Sequence, residues 1–393
     1  MPQPLPYPKN KPVTMRKLLL LLTSALMMLS FLHCKGTENT GKKDDDNSFT
    51  LPKRGIVWKG EPLKLAPKGC YARIIQDGEN KWLAAFEDGQ GNVAVCKSTD
   101  GRSWKASRVV IPGFTQNSVW VNVANAEICR LKDGTLLCAG NYRPNTEGKV
   151  PFSIALSRST DDGSTWSTPQ ILYSAGSYFR DGCWEPSFLE LPDGTVHIYF
   201  ADEGPYTSSS EQQITFISSS DKGVSWSEPA MVCFRAGRRD GMPVAAIFGD
   251  EIVVAIEDNG NGSFKPFTVR TSLDNPWAEP VLANSPNRDY ALVDQLPSAC
   301  YAGAPYLIKL PNGESLLSYQ IADDGKLESA VMEVALGDSE ARAFTMRTKP
   351  FGNVHALWNS IAVWDDYTVV AVATASLDGM ADAPWIRFGE ILH

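Results

Sequence analysis

Two glutamates stand at strand ends where an acidic side chain has no packing role. Glu185 opens an otherwise apolar strand within residues 180–186, and Glu257 closes the apolar run 252–256. Two carboxyl groups that flank a glycosidic bond can hydrolyse it, because one protonates the leaving oxygen while the other attacks the sugar or activates water. Each glutamate alone also fits a solvated strand-end acid. Their chemistry therefore depends on a fold that brings them together.

The elements that must position these acids are six hairpins. Apolar runs flank an Asp-Gly or similar turn at six places, and this pattern is typical of β-hairpins. The turns recur roughly every 50–65 residues, which suits a four-stranded propeller blade. A β-sandwich fits less well, because sandwich strands do not recur in groups of four at one period. We therefore predict an all-β fold, a six-bladed β-propeller of four-stranded antiparallel blades. The six hairpins cover residues 72–87, 126–140, 185–200, 244–257, 306–320 and 360–374.

A second repeat is a turn that ends in tryptophan. Three copies end at Trp104, Trp166 and Trp226, and a weaker copy without the glycine ends at Trp277. In each full copy an aspartate can accept hydrogen bonds from amides of its own turn, a glycine permits positive φ, and the tryptophan packs between neighbouring units. These turns serve folding, and we expect the first three tryptophans to be buried at equivalent outer positions remote from the channel.

Propeller topology predicts which residues meet at the channel. The first strand of each blade lines the channel and begins on the face where the second strand ends, so these strand ends converge. Glu185 in blade 3 and Glu257 in blade 4 therefore share one face. The other predicted contacts to a sugar lie at these strand ends or in the loops beside them. They are Arg73, Asp88, Glu127, Trp184, Asp202, Asn259, Tyr306, Gln320, His355 and Trp358.

Composition narrows the choice of ligand. The formal net charge of −8 argues against nucleic acid and against attraction to anionic lipid. The chain has no CxxC pair or HExxH run and only 4 His, so we predict no metal site and no cofactor. The expected partner is an oligo- or polysaccharide.

The N-terminus has the pattern of an export signal. Basic residues follow Met15, an apolar stretch covers residues 18–32, and Cys34 comes directly after His33. This resembles a bacterial lipoprotein signal, with His33 where a small residue is usual. We expect an exported protein, in the periplasm or on the cell surface, with a lipid anchor at Cys34 as its link to a membrane. The predicted organisation is a start extension and signal over 1–34, a flexible tether over 35–51 and a catalytic propeller over 52–393.

Disulfides are expected to contribute little. With Cys34 acylated, the remaining cysteines are odd in number and cannot all pair internally. Cys129 and Cys138 would lie opposite each other if the second hairpin turns at residues 132–135. One cross-strand disulfide is therefore compatible with the spacing, although regular cross-strand pairs rarely have disulfide geometry. We expect most cysteines to be buried and free.

The motifs resemble a known group of enzymes. The tryptophan turns are similar to the Asp-boxes, or BNR repeats, of sialidases and related propellers. The segments 184–188 and 241–244, with the strand that ends in Glu257, resemble those of exo-α-1,5-L-arabinanases, retaining enzymes that release arabinobiose. The resemblance covers residues 71–375. It implies that Glu185 is the general acid/base and Glu257 the nucleophile of an arabinan hydrolase.

Two other functions stay open. Residues 71–74 resemble the arginine motif that opens sialidase domains, with Ile75 in place of its proline. A sialidase needs three arginines that converge on a carboxylate, whereas only Arg73 has a clear channel position in the sequence. An exo-sialidase is the first alternative. The second is a surface lipoprotein that binds glycans without cleaving them, through aromatic rings such as Trp120, Tyr178 and Tyr301.

Overall fold

The structure, a computed structural model, describes residues 54–78 and 81–392. Six sheets follow one another along the chain, four with four strands and two with five. The predicted six-bladed, all-β propeller is confirmed. The predicted signal, tether and lipid anchor lie outside the described residues. Among the residues described, no helix has the length and apolar character needed to cross a membrane.

Each blade is built outward from the channel, and the first strands of neighbouring blades contact one another around it. The innermost strands of blades 1 to 6 are Cys70–Gln76, Val119–Arg130, Cys183–Glu190, Asp240–Phe248, Tyr301–Lys309 and Ala356–Asp365. The second strands are Trp82–Glu87, Leu136–Pro144, Val196–Asp202, Glu251–Asp258, Ser315–Ala322 and Thr368–Ala375. The third strands are Val93–Ser98, Ser153–Ser159, Gln213–Ser219, Lys265–Ser272, Val331–Gly337 and Ala383–Leu392. The outermost strands are Arg108–Ile111, Gln170–Ser174, Ala230–Phe234, Arg288–Tyr290, Thr345–Thr348 and Gly55–Lys64.

Blade 6 takes its outermost strand from the opposite end of the chain. Gly55–Lys64 pairs antiparallel with Ala383–Leu392, so hydrogen bonds between distant segments close the ring of blades. Phe114–Gln116 extends blade 2, and Val281–Leu282 lies parallel to the outermost strand of blade 3. Two 3₁₀ turns, Phe179–Asp181 and Leu327–Ser329, complete the described elements.

The apolar core lies between the blades. The large clusters of buried side chains join neighbouring blades, for example blades 1 and 2, or blades 4 and 5. A further cluster joins blades 6 and 1, so the packing continues across the closure. Because every blade is packed on both faces, its strands read as nearly continuous apolar runs in sequence.

The tryptophan turns connect third strands to the segments that lead to the outermost strands. As predicted, each aspartate accepts backbone hydrogen bonds within its own turn, for example Asp100 from Ser103 at 2.7 Å. The expectation that Trp104, Trp166 and Trp226 are buried is wrong, because all three are half-buried. They sit in turns at the outer part of a blade, where part of the side chain reaches solvent. The tryptophan of the weak fourth copy, Trp277, is only 5% exposed.

The cysteines with described surroundings are all free. The second hairpin pairs Cys129 with Leu137 and Ile128 with Cys138, so the two cysteines are not opposite each other. The alternative of a Cys129–Cys138 disulfide is therefore not realised in this structure.

All six innermost strands carry the same irregularity, near the start in five blades and at the middle of the longer strand of blade 2. One residue in each has a positive φ, between 49° and 54°, and the pairing register shifts at that point. For a residue with a side chain this conformation costs roughly 1–2 kcal/mol. A bulge of this kind turns its side chain out of the strand's alternation. The six residues, called the bulge ring below, are Tyr71, Asn125, Glu185, Met242, Ala304 and Trp358.

The side chains of the bulge ring close the channel at one mouth. Tyr71, Met242 and Ala304 come from blades 1, 4 and 5, yet they form one buried cluster with Trp358 packed against it. The ring therefore makes a floor across the channel. Below it, the first strands of blades 2 to 5 line a cavity of about 310 Å³ that includes neither Glu185 nor Glu257.

Candidate active site

Glu185 is a member of the bulge ring, and this determines where its side chain points. The backbone amide of Met242, the ring residue of the next blade, acts to lower the pKa of the Glu185 carboxyl group. The carboxyl group therefore lies along the ring and not within the packing of blade 3. Burial raises the pKa of Glu185 to about 8, and the negative charge of Glu257 adds to the increase. At neutral pH Glu185 is protonated, which is the state that a general acid needs.

Glu257 lies at the end of the second strand of blade 4, opposite Gly241. Its Oε2 accepts a hydrogen bond of 2.8 Å from the backbone amide of Ala304 in blade 5. Burial raises the pKa of Glu257 to about 7, whereas the Ala304 amide and the positive charge of Arg239 act in the opposite direction. Glu257 is therefore the more easily ionised member of the pair.

The hydrogen bond to Glu257 belongs to a repeated contact, here called the ring latch. In a ring latch, the amide of a bulge-ring residue donates to the second-strand side chain of the preceding blade. Glu87 accepts from Asn125 at 2.7 Å, and Gln320 accepts from Trp358 at 2.9 Å. Thr374 likewise accepts from Tyr71 across the closure. The position of Glu257, taken by itself, is therefore explained by the structure of the propeller and does not indicate catalysis.

Two blades lack this contact. In blade 2 the Oδ1 atom of Asn141, which holds the latch position, has no hydrogen-bond partner among the described residues, and in blade 3 the missing contact brings the two acids together. The residue that pairs with Trp184, and so occupies the latch position, is Ala201, which has no acceptor. The amide of Met242 acts instead on the Glu185 carboxyl group, whose pKa it lowers. An ordinary latch acid at 257 and an extra acid at 185 thereby meet on adjacent blades. Glu87 has the same latch position in blade 1, and the extra acid at 185 is what distinguishes Glu257 from it.

Glycines leave the space that the Glu257 carboxylate occupies. A Cβ atom on Gly241 would lie 3.1 Å from Glu257 Oε1, and one on Gly303 would also meet the carboxylate. Both glycines directly precede bulge-ring residues. The backbone beside the Glu257 carboxylate therefore carries no side chain on either neighbouring strand. The Tyr301 hydroxyl also lies beside Gly303 and receives a hydrogen bond of 2.7 Å from Gln320.

Arg73 lies in the channel, deeper than the sequence predicted. It is 3% exposed. Its Nε lies 3.4 Å from Glu127 Oε2, and its guanidinium lies 4.0 Å from the ring centroid of Tyr71 and 5.0 Å from that of Tyr306. These contacts place Arg73 within the floor and not on the surface that a sugar would touch.

Two further arginines, Arg143 and Arg239, lie near the acids. The Arg143 guanidinium lies 4.9 Å from the ring centroid of Trp184, and its charge acts to lower the pKa of Glu185. Arg239 forms an ion pair with Glu203 and acts on the pKa of Glu257. Arg143 carries no motif and lies near the end of its strand, which is why the sequence did not indicate it.

The ten predicted sugar contacts divide into two groups in the structure. One group is buried in side-chain networks: Arg73, Glu127, Trp184, Asp202 and Gln320. The other group reaches solvent at least in part: Asp88, Asn259, Tyr306, His355 and Trp358.

Asp202 illustrates why strand-end position did not predict exposure. It is 2% exposed and accepts hydrogen bonds from Tyr173, Thr215 and the amide of Gly204. The bulges shift the pairing register, and a shift of one residue moves a side chain to the other face. Similarly, Asp88 accepts from the amides of Gln90 and Asn92 within its own turn.

Three prolines are the sequence signal that marks half of the bulge ring. Pro186, Pro243 and Pro305 each follow a ring residue directly, in blades 3, 4 and 5. These are the blades that carry Glu185, Glu257 and the Ala304 amide. An X-Pro pair at the same point of three successive first strands would have located the floor of the site.

Comparisons with known proteins agree with this architecture. The model described as a BNR repeat-like domain matches residues 144–285. No curated protein matches the chain.

Solved structures of the same fold include enzymes that act on arabinose-containing substrates. The GH93 α-L-arabinofuranosidase of Fusarium graminearum, solved with arabinobiose, is 18% identical with a TM-score of 0.64, over 84% of this chain and 96% of that chain. The α-L-arabinanase of Penicillium chrysogenum, also with arabinobiose, is 17% identical with a TM-score of 0.63, over 86% and 98%. The Hadza microbial sialidase Hz136 is 16% identical with a TM-score of 0.60, over 84% and 66%. The chain thus has a BNR-repeat region in a six-bladed propeller, the fold shared by these enzymes.

Proposed function

We propose that this chain is a retaining glycoside hydrolase that acts from the end of α-1,5-L-arabinan and releases arabinobiose. The observation that carries the proposal is the broken ring latch of blade 3, which places Glu185 within the electrostatic influence of Glu257. The resemblance of segments 184–188 and 241–244 to exo-arabinanases supports the sugar. So does the likeness in fold to two enzymes solved with arabinobiose.

In the first step, Glu257 attacks the anomeric carbon as a carboxylate held by the Ala304 amide. The bond to the leaving oxygen breaks, its electron pair goes to that oxygen, and the oxygen takes the proton of Glu185. The product is a glycosyl ester of Glu257.

In the second step, the electrostatic coupling of the two acids reverses the role of Glu185. The ester at Glu257 carries no charge, so the influence that helped to raise the pKa of Glu185 is removed. Glu185 then stays ionised and accepts a proton from water as that water attacks the anomeric carbon. The ester bond breaks and its electron pair returns to Glu257, which restores both groups.

An exo-sialidase is the second candidate, since three arginines lie in or near the floor. Arg73 pairs with Glu127 and Arg239 pairs with Glu203 within the protein. A site that binds a substrate carboxylate needs guanidinium groups that point at one spot. The internal pairing favours a neutral sugar.

The N-terminal pattern supports export to the periplasm or cell surface, with Cys34 as the lipid-modified residue.

Incubation of the purified protein with debranched arabinan and with a sialyl-lactose tests these functions side by side. We expect arabinobiose from arabinan, with the α-anomer formed first in a proton NMR time course. Release of sialic acid alone would identify a sialidase. Retention of the protein on immobilised arabinan, with neither product formed, would favour a glycan-binding protein.

A further inference from the structure

Glu203 is a buried carboxylate that the proposed reaction does not use. It follows the second strand of blade 3, Val196–Asp202, and is 1% exposed. A charged group at this depth destabilises the fold unless hydrogen bonds and an opposite charge compensate it. Glu203 has both: its Oε2 accepts from Trp184 Nε1 at 3.1 Å, and its Oε1 pairs with the Arg239 guanidinium.

The two partners of Glu203 adjoin the two acids. Trp184 directly precedes Glu185 in the first strand of blade 3. Arg239 directly precedes the first strand of blade 4, and its backbone amide donates to Asn259 Oδ1 at 2.8 Å, two residues beyond Glu257. One carboxylate therefore connects the backbone segments that carry both members of the acid pair.

We propose that Glu203 is a positioning residue that holds Trp184 beside Glu185 and Arg239 beside Glu257, and so determines which acid carries the proton. This inference rests on the proposed function. The charges act in the required directions: the negative charge of Glu203 acts to raise the pKa of Glu185, and the positive charge of Arg239 acts to lower that of Glu257. The ion pair thus favours a protonated Glu185 and an ionised Glu257.

Two substitutions separate the effect of Glu203 on Glu185 from the effect of Arg239 on Glu257. Glu203→Gln removes the negative charge but keeps an oxygen that can accept from Trp184. The basic limb of the kcat/KM profile, which reports Glu185, should move to lower pH by about 0.5–1 unit, with a loss of up to about tenfold above that limb. Arg239→Gln removes the positive charge, and the acidic limb, which reports Glu257, should move to higher pH.

Glu333→Gln is the matched control. Glu333 is 5% exposed, pairs with Arg347 at 2.8 Å and accepts from the Tyr319 hydroxyl at 2.9 Å, on the third strand of blade 5. It therefore has the same kind of buried environment away from the acids. Its removal should change the free energy of unfolding and leave both limbs in place. A purely structural Glu203 would behave in the same way, and a Glu203→Gln profile that overlays the wild type would overturn the inference.

A direct titration keeps this test independent of turnover. The carboxyl carbons of ¹³C-glutamate-labelled protein report protonation, and Glu185→Gln identifies the signal of Glu185. We expect a lower pKa for Glu185 in Glu203→Gln than in the wild type, whether or not arabinan is cleaved. Unchanged titration refutes the inference, whereas an inactive wild type with a shifted Glu185 signal refutes only the proposed function. Trp184→Phe, which removes the donor and keeps an aromatic ring, serves if Glu203→Gln does not fold; it should also shift the Glu185 signal.

Discussion

The carboxylate of Glu257 fills the space that Gly303 leaves open. A Cβ atom at Gly303 would lie 2.4 Å from Glu257 Oε2 and 2.6 Å from the Tyr301 hydroxyl. Gly303 directly precedes Ala304, whose amide holds the same oxygen. The nucleophile position of the proposed reaction thus depends on a residue with no side chain in the neighbouring blade.

Gly303→Ala should therefore displace Glu257 while the propeller stays folded. A displacement of about 1 Å can reduce kcat on the order of a hundredfold. The added methyl group should cost roughly 1–3 kcal/mol of unfolding free energy as local overpacking. Turnover of arabinan and urea denaturation of the same preparation measure the two effects.

Gly313→Ala in the turn of the same blade is the control. A Cβ there meets nothing within 4 Å, but φ is +90°. The control should lose about 1 kcal/mol of stability through backbone strain and keep its kcat. Equal kcat values for the two variants would contradict the role given to Gly303.

The sequence predicted the local elements of this site but not the bulges that orient them. Hairpin turns, continuous apolar strands and the Asp turns are encoded by nearby residues, so the blades and the shared face of Glu185 and Glu257 could be inferred. A left-handed residue such as Tyr71 or Trp358 has no such signal, since its conformation is imposed by packing around the channel. The contribution of Gly55–Lys64 to blade 6 was missed for a related reason, because its partner lies at the other end of the chain.

Glu257→Ala and Glu185→Ala should give different products with azide and an aryl α-L-arabinobioside. Without Glu257, azide enters the vacated space and attacks the sugar directly, so the glycosyl azide has inverted configuration. Without Glu185, the ester at Glu257 still forms from an activated substrate, and azide then yields the retained product. NMR of the isolated azides distinguishes the two.

Glu87→Gln is the matched control for the acid variants. Glu87 has the same ring-latch geometry as Glu257, with the Asn125 amide as donor. Its amide oxygen can still accept that hydrogen bond, so turnover should stay within a fewfold of the wild type. Glu257→Gln, the same substitution at the proposed nucleophile, should abolish turnover, and the assignment fails if Glu87→Gln loses as much activity.

The pH dependence of kcat/KM should be a narrow bell. Catalysis requires Glu257 ionised, with a pKa of about 7, and Glu185 protonated, with a pKa of about 8. Activity should therefore rise as pH approaches 7 and fall above 8. Glu185→Gln should abolish the basic limb on an aryl substrate that needs little protonation. A broad plateau down to pH 5 would contradict the raised pKa of Glu257.

The same burial should make the protein less stable as pH rises. The pKa of Glu185 is raised from 4.5 to about 8 in the folded state, so the folded protein holds this proton more tightly than the unfolded chain does. The corresponding stability is present in full below pH 4.5 and is lost as pH rises through 8. Because Gln cannot ionise, Glu185→Gln should gain on the order of 1–3 kcal/mol relative to the wild type between pH 5 and pH 8.5. Urea denaturation at both pH values measures this gain. The exposed Glu228→Gln should parallel the wild type, and a Glu185→Gln curve that also runs parallel would show that the acid is not buried at a cost.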